Sequence, residues 1–340
     1  MSPPLSQNPS TAARVLVTGG VVAFPTETVY GLGAHAEQPA AIARVFAIKG
    51  RPSGHPLIVH GADHDVLDRY ARGAGRDAWR LAEAFWPGPL TLVVPRSGAV
   101  PDAVTGGRET VGLRVPDQPL ALEMLRAVGA GVAAPSANVF GRTSPTTAAH
   151  VVSDLGDQVD LILDGGPCAV GVESTILDLS GDQPTILRAG GVSADAIEEL
   201  LGRSVVRIAR GPARAPGMLA AHYAPNALVV VTSSEQLARE YAAERATGRR
   251  IAVLTTGEFV TADPQSLVLR PVGDRPEDFA HDLYGLLRHA DAAGAEVILV
   301  VPPPGEGIAA AVRDRLERAA AAGHGASSTA PLPLRPSGAP

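Results

Sequence analysis

The chain has 340 residues, 45 % of them hydrophobic, a formal net charge of −6 and one cysteine, Cys168. That apolar share suffices for a folded core and argues against disorder, and the lone thiol excludes an intramolecular disulfide. The acidic balance argues against a general nucleic-acid binder held by a broad basic surface, while leaving room for a local basic cleft.

In chain order, residues 1–10 are polar and Pro-rich with no apolar signal core, and read as a disordered tail. Residues 11–208 alternate short β-branched runs with helical stretches. Strands are expected at Val21–Phe24, Leu57–Val59, Leu90–Val94, Val111–Val115, Val132–Ala134, Leu161–Leu163, Thr175–Leu179 and Thr185–Leu187. Ile42, Val45 and Phe46 share one helical face, as do Leu120 and Met124. Many strands with fewer helices predict a mixed α/β sheet. Residues 209–225, rich in Pro, Gly and Ala, read as a linker. Residues 226–322 then alternate strands (Leu228–Val231, Ile251–Thr255, Leu267–Leu269, Val297–Val301) with helices (Ser234–Ala246, Asp278–Ala293, Ile308–Ala321), the order of a small doubly wound, Rossmann-like domain. Residues 323–340 are Gly/Ser/Pro-rich and read as a second disordered tail. The longest apolar runs are too short to span a bilayer, so a cytoplasmic protein is expected.

Several familiar sites are missing. The sequence holds no Walker A pattern and no GxSxG elbow. The GxGxxA match at 31–36 is separated from the strand ending at Phe24 by Pro25 to Tyr30, whereas a dinucleotide turn needs its first glycine directly after a strand. His35, His55, His60 and His64 cluster in sequence, but no cysteine or carboxylate pattern completes a zinc set, and no bound metal is expected.

The informative residues lie in loops at strand ends, where binding groups gather. Of 29 basic side chains only one, Lys49, is a lysine; a drift toward arginine explains the rest, and position 49 reads as one that needs a compact ammonium. Gly50 suits a left-handed helix C-cap that would throw Lys49 and Arg51 out of the helix end. His60 closes a strand. Thr110, Gly112 and Arg114 share one strand face, and an arginine beside a glycine can reach a small carboxylate bidentately. Ser136, Asn138, Arg142 and Ser144 follow another strand; Ser144 before Pro145 reads as a helix N-cap, and together they read as a polyphosphate cradle. Lys49, Arg51, Arg114, Arg142 and Arg188 in one cleft of an acidic protein would suit a small, highly anionic substrate. From the residues alone, this reaches an α/β enzyme of small anions that uses a nucleotide.

The motifs PTETVYGLG (25–33), Lys49-x-Arg51, PLIVH (56–60), FWPGPLT (85–91), TVGLRVP (110–116), APSAN (134–138), GVESTI (171–176), LR-x-G (187–190) and PGM-x3-HYAP (216–225) resemble those of the two-domain form of L-threonylcarbamoyladenylate synthase, whose catalytic part is the YrdC domain. The resemblance implies a twisted open mixed sheet with a concave positive cavity, a linker at 209–225 that serves as a lid, and a second, smaller domain. It implies that Lys49 and Arg51 are catalytic and that they contact ATP with His55, Thr110, Ser136, Asn138, Ser144, Arg188, His222 and Tyr223. Threonine would be held by Thr28, His60, Arg114, Ala134 and Ser174. His55 stands where asparagine is frequent in the family and Thr143 where proline is frequent. The implied reaction joins L-threonine, bicarbonate and ATP, with Mg²⁺ arriving on the triphosphate, into threonylcarbamoyl-AMP. The product would pass to the tRNA threonylcarbamoyl-transferase machinery, for modification of tRNAs that read codons starting with A. No membrane and no stable nucleic acid is expected as a partner. The rival readings are a non-catalytic RNA-binding module, which the acidic charge and the scarcity of aromatics in the loops oppose, and a carbamoyl-transfer enzyme, which would carry further domains with zinc-finger cysteines.

Overall fold

The computed structural model describes residues 4–208 and 222–325. Eleven strands among them form one mixed sheet: β1 (Leu5–Ser6), β2 (Val22–Phe24), β3 (Gly31–His35), β4 (Ile58–His60), β5 (Leu90–Pro95), β6 (Thr110–Arg114), β7 (Val132–Ala134), β8 (Leu161–Leu163), β9 (Thr175–Asp178), β10 (Thr185–Arg188) and β11 (Val206–Arg207). Their order across the sheet is β1-β8-β2-β3-β7-β4-β6-β5-β9-β10-β11.

Two expectations fail at the start of the chain. Residues 4–10 are not a loose tail: Leu5–Ser6 pairs in parallel with β8, and Asn8 caps a helix over Pro9–Val17 by accepting from the backbone of Ser10 and Thr11. A strand of two residues is too short to show a period, and the capping signal of Asn8 with Pro9 is masked by the surrounding Pro-rich segment. The second is β3, which lies where a ligand loop was expected. It pairs antiparallel with both β2 and β7. Its glycines conceal it, and they are there for space: a Cβ on Gly33 would come within 2.6 Å of Val132 Cγ1. The GxGxxA match is therefore strand, not a dinucleotide turn. Residues 1–3, residues 209–221 of the expected linker and residues 326–340 of the expected C-terminal tail lie outside the described residues.

Helices cover both faces of the large sheet unequally. Pro9–Val17 and Pro119–Val128 bury Leu16, Met124 and Leu125 against Val22, Phe24, Val132 and Leu163. On the other face lies the main core, with Ile42, Val45 and Phe46 from the helix Pro39–Lys49 and Leu81 from Arg76–Phe85. Elsewhere Ile58, Val93, Ile176 and Leu187 form a small separate cluster. Its strand ends border the open side that carries the site. The register sets His60 beside Arg114 and Ile58 beside both Gly112 and Ala134.

The second sheet is wholly parallel, β12 (Leu228–Val231), β13 (Ile251–Leu254), β14 (Leu267–Leu269) and β15 (Val297–Val300), in the order β12-β15-β13-β14. Alternate residues bury on opposite faces. Ala252, Leu254, Ile298 and Val300 meet helices Pro276–Ala292 and Ile308–Gly325, while Ile251, Val253, Val297 and Leu299 meet Leu237 and Tyr241 of Ser234–Ala246. Helices on both faces explain why these strands are continuous apolar runs. The first of these clusters also takes in Val29, Val172 and Tyr223, so the smaller domain docks through a shared apolar core. Gly171 permits that approach: it has φ +81°, and a Cβ there would lie 2.5 Å from the backbone of Ala280 and His281. Among the described residues no helix is long and apolar enough to cross a membrane.

Candidate active site

One cavity gathers Thr26, Thr28, Gly31, Arg51, Ile58, His60, Arg114, Ala134, Pro135, Ser136, Glu173, Ser174, Arg188, His222 and Tyr223 on its walls. All five residues expected at threonine are in that set, with Arg51, Ser136, Arg188, His222 and Tyr223 of those expected at ATP. Lys49, His55, Thr110, Asn138 and Ser144 are not wall residues, for separate reasons.

Lys49 lies beneath the wall. The left-handed cap at Gly50 is present, φ +64°, but the lysine is not thrown outward; it is on the buried helical face with no exposed surface. Its Nζ donates to Ser136 O at 2.7 Å, Asn138 O at 2.8 Å and Asn138 Oδ1 at 2.8 Å, with Ser136 Oγ at 3.3 Å. Burial, reinforced by Arg51, pulls the ammonium well below its usual pKa. Those three carbonyl oxygens only accept, however, and three N–H donors pointing at three of them describe the charged form. A guanidinium cannot converge its donors on one point in this way, which accounts for the lone lysine.

Ser144 is not an N-cap. The helix begins at Ala148 with Thr147 as its cap, accepting from His150 N, and Ser144 Oγ instead donates to Glu173 Oε1 at 2.7 Å. Asn138 is fully buried, tied to Lys49 and to Arg142 O. Arg142 turns away from the cavity to Pro225 O and Asn226, and borders a separate cleft between the domains. His55 lies against Phe140, ring centroids 5.6 Å apart. Thr110 starts β6 and Arg114 ends it, so the two share a face about 13 Å apart at ~3.3 Å per residue.

The groups expected at threonine are tightly ordered. Thr26 Oγ1 bonds Thr28 Oγ1 at 2.8 Å and Val29 O at 2.6 Å, which fixes the 26–29 turn. Arg114 Nη2 donates to Thr28 Oγ1 at 2.9 Å and pairs with Glu27 Oε1 at 2.7 Å, and its Nε reaches Gly88 O at 3.2 Å. Ser174 Oγ bonds Thr91 Oγ1 at 2.8 Å. Burial, with Arg114 beside it, pushes the His60 imidazole down to about 3, so it is neutral at ordinary pH.

On the other side Arg188 donates from Nε and Nη2 to Ser174 O at 3.0 and 2.9 Å. Strict alternation would place Arg188 on the same face as Ile186; a register shift between them turns it into the cavity. Arg51 donates to Pro56 O at 3.1 Å, and its guanidinium lies 5.8 Å from the Phe140 ring. His222 and Tyr223 lie across this side, anchored by His222 N to Arg318 O and Ala224 N to Gly141 O. Tyr223 has φ +64°, an unfavourable conformation for an aromatic residue and one that functional sites tend to hold. Arg51 Nε, His60 Nδ1, both His222 ring nitrogens and the Tyr223 hydroxyl are buried without a hydrogen-bond partner, so unmet polar groups concentrate here. The enclosed space is about 50 Å³, room for a few waters and not for a nucleotide.

Four contributors were not among the expected site residues: Glu27 and Glu173, which lie inside quoted motifs, and Tyr284 and Arg315, which carried no sequence signal. Glu173 Oε2 accepts from Tyr284 OH at 2.9 Å and from Arg315 Nε at 2.7 Å, both from the smaller domain. Among the described residues no group of three or more His, Cys, Asp or Glu could hold a metal ion.

Comparison with known proteins identifies the family. Residues 14–190 match the Sua5/YciO/YrdC family model, described as telomere recombination, and residues 192–321 match the C-terminal domain of threonylcarbamoyl-AMP synthase. The chain is 40 % identical to the threonylcarbamoyl-AMP synthase of Pyrococcus abyssi over 91 % of its own length and 92 % of the relative's. It is 41 % identical to that of Bacillus subtilis over the same shares. The crystal structure of P. abyssi Sua5 complexed with L-threonine superposes with a TM-score of 0.87 at 38 % identity, covering 93 % of this chain and 94 % of that one. The chain belongs to the threonylcarbamoyl-AMP synthase family, in the form that joins a YrdC-like domain to a C-terminal domain.

Proposed function

We propose that this enzyme is a nucleotidyltransferase that condenses L-threonine, bicarbonate and ATP into threonylcarbamoyl-AMP and pyrophosphate for tRNA modification. The observation that carries this reading is the single cavity in which Thr28, His60, Arg114 and Ser174 stand beside Arg51, Ser136 and Arg188. One set suits an amino acid and the other a chain of phosphates.

Arg114 would bind the threonine carboxylate, with Thr28 and Glu27 fixing the guanidinium plane. Neutral His60 adds no charge near the threonine amine, and an imidazole with a pKa of about 3 is a poor proton acceptor. Its part is therefore orientation. Bicarbonate takes a proton and loses water to give CO₂; the free amine adds to that CO₂, forming a C–N bond and losing a proton to solvent, which gives a carbamate. A carbamate oxygen attacks the α-phosphorus of ATP, and the bond to the leaving pyrophosphate breaks. Holding two anions in line is the main contribution, and positioning can supply about 7–11 kcal/mol in favourable cases. Arg51 and Arg188 would oppose charge on the phosphates. Lys49 would act through Ser136 and Asn138, whose loop it holds. The carboxylate on the cavity wall, Glu173, already faces Arg315, and Glu27 behind the wall is paired with Arg114. That suits Mg²⁺ brought in on the triphosphate with its own waters. His222 and Tyr223 would withdraw to admit the nucleotide and return over it, as a lid.

Purified protein should release pyrophosphate only with ATP, threonine and bicarbonate together. Equal release without threonine would overturn the reading.

A further inference from the structure

Glu173 joins the two domains at the cavity wall. One oxygen accepts a hydrogen bond from Ser144 Oγ, and the other accepts from both Tyr284 and Arg315 of the smaller domain. The pair is almost fully enclosed, with side-chain exposures of 1 % for Arg315 and 7 % for Glu173. Arg315 also donates to Ala189 O at 2.9 Å and lies 5.1 Å from the ring of Tyr223. Burial opposes the charge on Glu173, yet Arg315 first and Arg188 second keep its carboxyl ionised down to about pH 2.

A carboxylate in this place works against phosphate binding unless its charge is cancelled. It occupies Ser144, attracts Arg188 and would repel a triphosphate. Arg315 cancels it only while the smaller domain is docked, because Arg315 lies on the helix Ile308–Gly325. The same carboxylate then rewards docking, since a buried charge stripped of its partner is costly. Both effects run through one oxygen pair.

We propose that Glu173 and Arg315 form a charge latch, two positioning residues that couple docking of the C-terminal domain to affinity for the nucleotide phosphates through Ser144 and Arg188. This rests on the ATP assignment made above. The coupling is reciprocal: nucleotide should favour the docked domain as much as docking favours nucleotide.

The test is a double-mutant cycle of Arg315→Met and Glu173→Gln in the full chain. It is read by ATP and threonine KM in pyrophosphate release, by calorimetry with ATP alone, and by small-angle scattering. Arg315→Met should raise the ATP KM and Kd by about tenfold or more, leave the threonine KM unchanged, and expand the particle. Adding Glu173→Gln should restore most of the ATP affinity, a rescue that a purely structural role would not give. Tyr284→Phe, which keeps both charges, should raise the ATP KM less and in the same direction, and serves if Arg315→Met fails to fold. The latch is overturned if Arg315→Met, or Tyr284→Phe in its place, leaves ATP affinity alone or shifts the ATP and threonine constants together. A double variant no better than the single would also overturn it. An inactive wild type sinks the ATP assignment and the latch with it; an active wild type without coupling sinks the latch alone.

Discussion

Lys49→Arg keeps the charge and changes only its shape, so it isolates what a compact ammonium does at this position. The side chain is fully buried and its Nζ serves Ser136 O, Asn138 O and Asn138 Oδ1 at 2.7–2.8 Å. A guanidinium adds bulk to a closed site, and overpacking costs about 1–3 kcal/mol. Its splayed donors would also leave at least one of those acceptors unmet, at about 1–3 kcal/mol for a buried group. The sum is roughly 2–6 kcal/mol of stability for the catalytic domain. Because Ser136 is a wall residue, its displacement should also reduce turnover with ATP. Urea unfolding and pyrophosphate release on the same preparation measure both. Asn138→Ala alone should lower the urea midpoint too, and combining it with Lys49→Arg should cost less than the sum, since both break one cluster. A Lys49→Arg protein with unchanged midpoint and full activity would refute the clamp, and lysine at position 49 would then be chance.

Arg114→Ala should raise the threonine KM and also destabilise the fold, by about 3–5 kcal/mol, because Glu27 is left charged and buried. Adding Glu27→Gln should recover stability but not threonine affinity, and threonine kinetics unchanged in Arg114→Ala would remove it from the site. The buried imidazole of His60 gives a pH dependence of definite sign. Its folded pKa of about 3 lies below the usual 6.5, so the unfolded chain takes up the proton first. Stability should fall as pH drops from 6.5 toward 3, by at most ~1.4 kcal/mol per pH unit for this group. His222, also lowered to about 3, adds to the slope. Urea midpoints across this range should decline less steeply in His60→Gln, and identical slopes would count against a neutral buried His60.

Strands rich in β-branched residues were legible, since β5 to β10 each carry an apolar run that no other element explains. Gly31 and Gly33 broke that pattern in β3. The need for bare backbone against Val132 and Phe24 is a property of the packed sheet and not of the segment. Thr28, His60, Arg114, Ser136 and Ser174 could be picked out because each stands at or beside a strand end, within a motif whose polar residues do no obvious capping. The local reading of Ser144-Pro145 failed because Thr147 competes for the cap and Glu173, 29 residues away, takes the serine hydroxyl. Glu27 and Glu173 are single carboxylates whose partners are set by tertiary contact, 142 residues apart for Glu173 and Arg315. No periodicity records such a pair. The one hint was that both glutamates sit in polar-flanked motifs already singled out, PTETVYGLG and GVESTI.

The measurement nearest the central claim is mass spectrometry of the adenylate formed from ATP, threonine and isotopically labelled bicarbonate. The cavity as described here should yield threonylcarbamoyl-AMP with the label in its carbamoyl carbon. An unlabelled threonyl adenylate, in which the carboxylate of threonine itself had attacked the α-phosphate, would contradict the placement of that carboxylate on Arg114, away from the nucleotide.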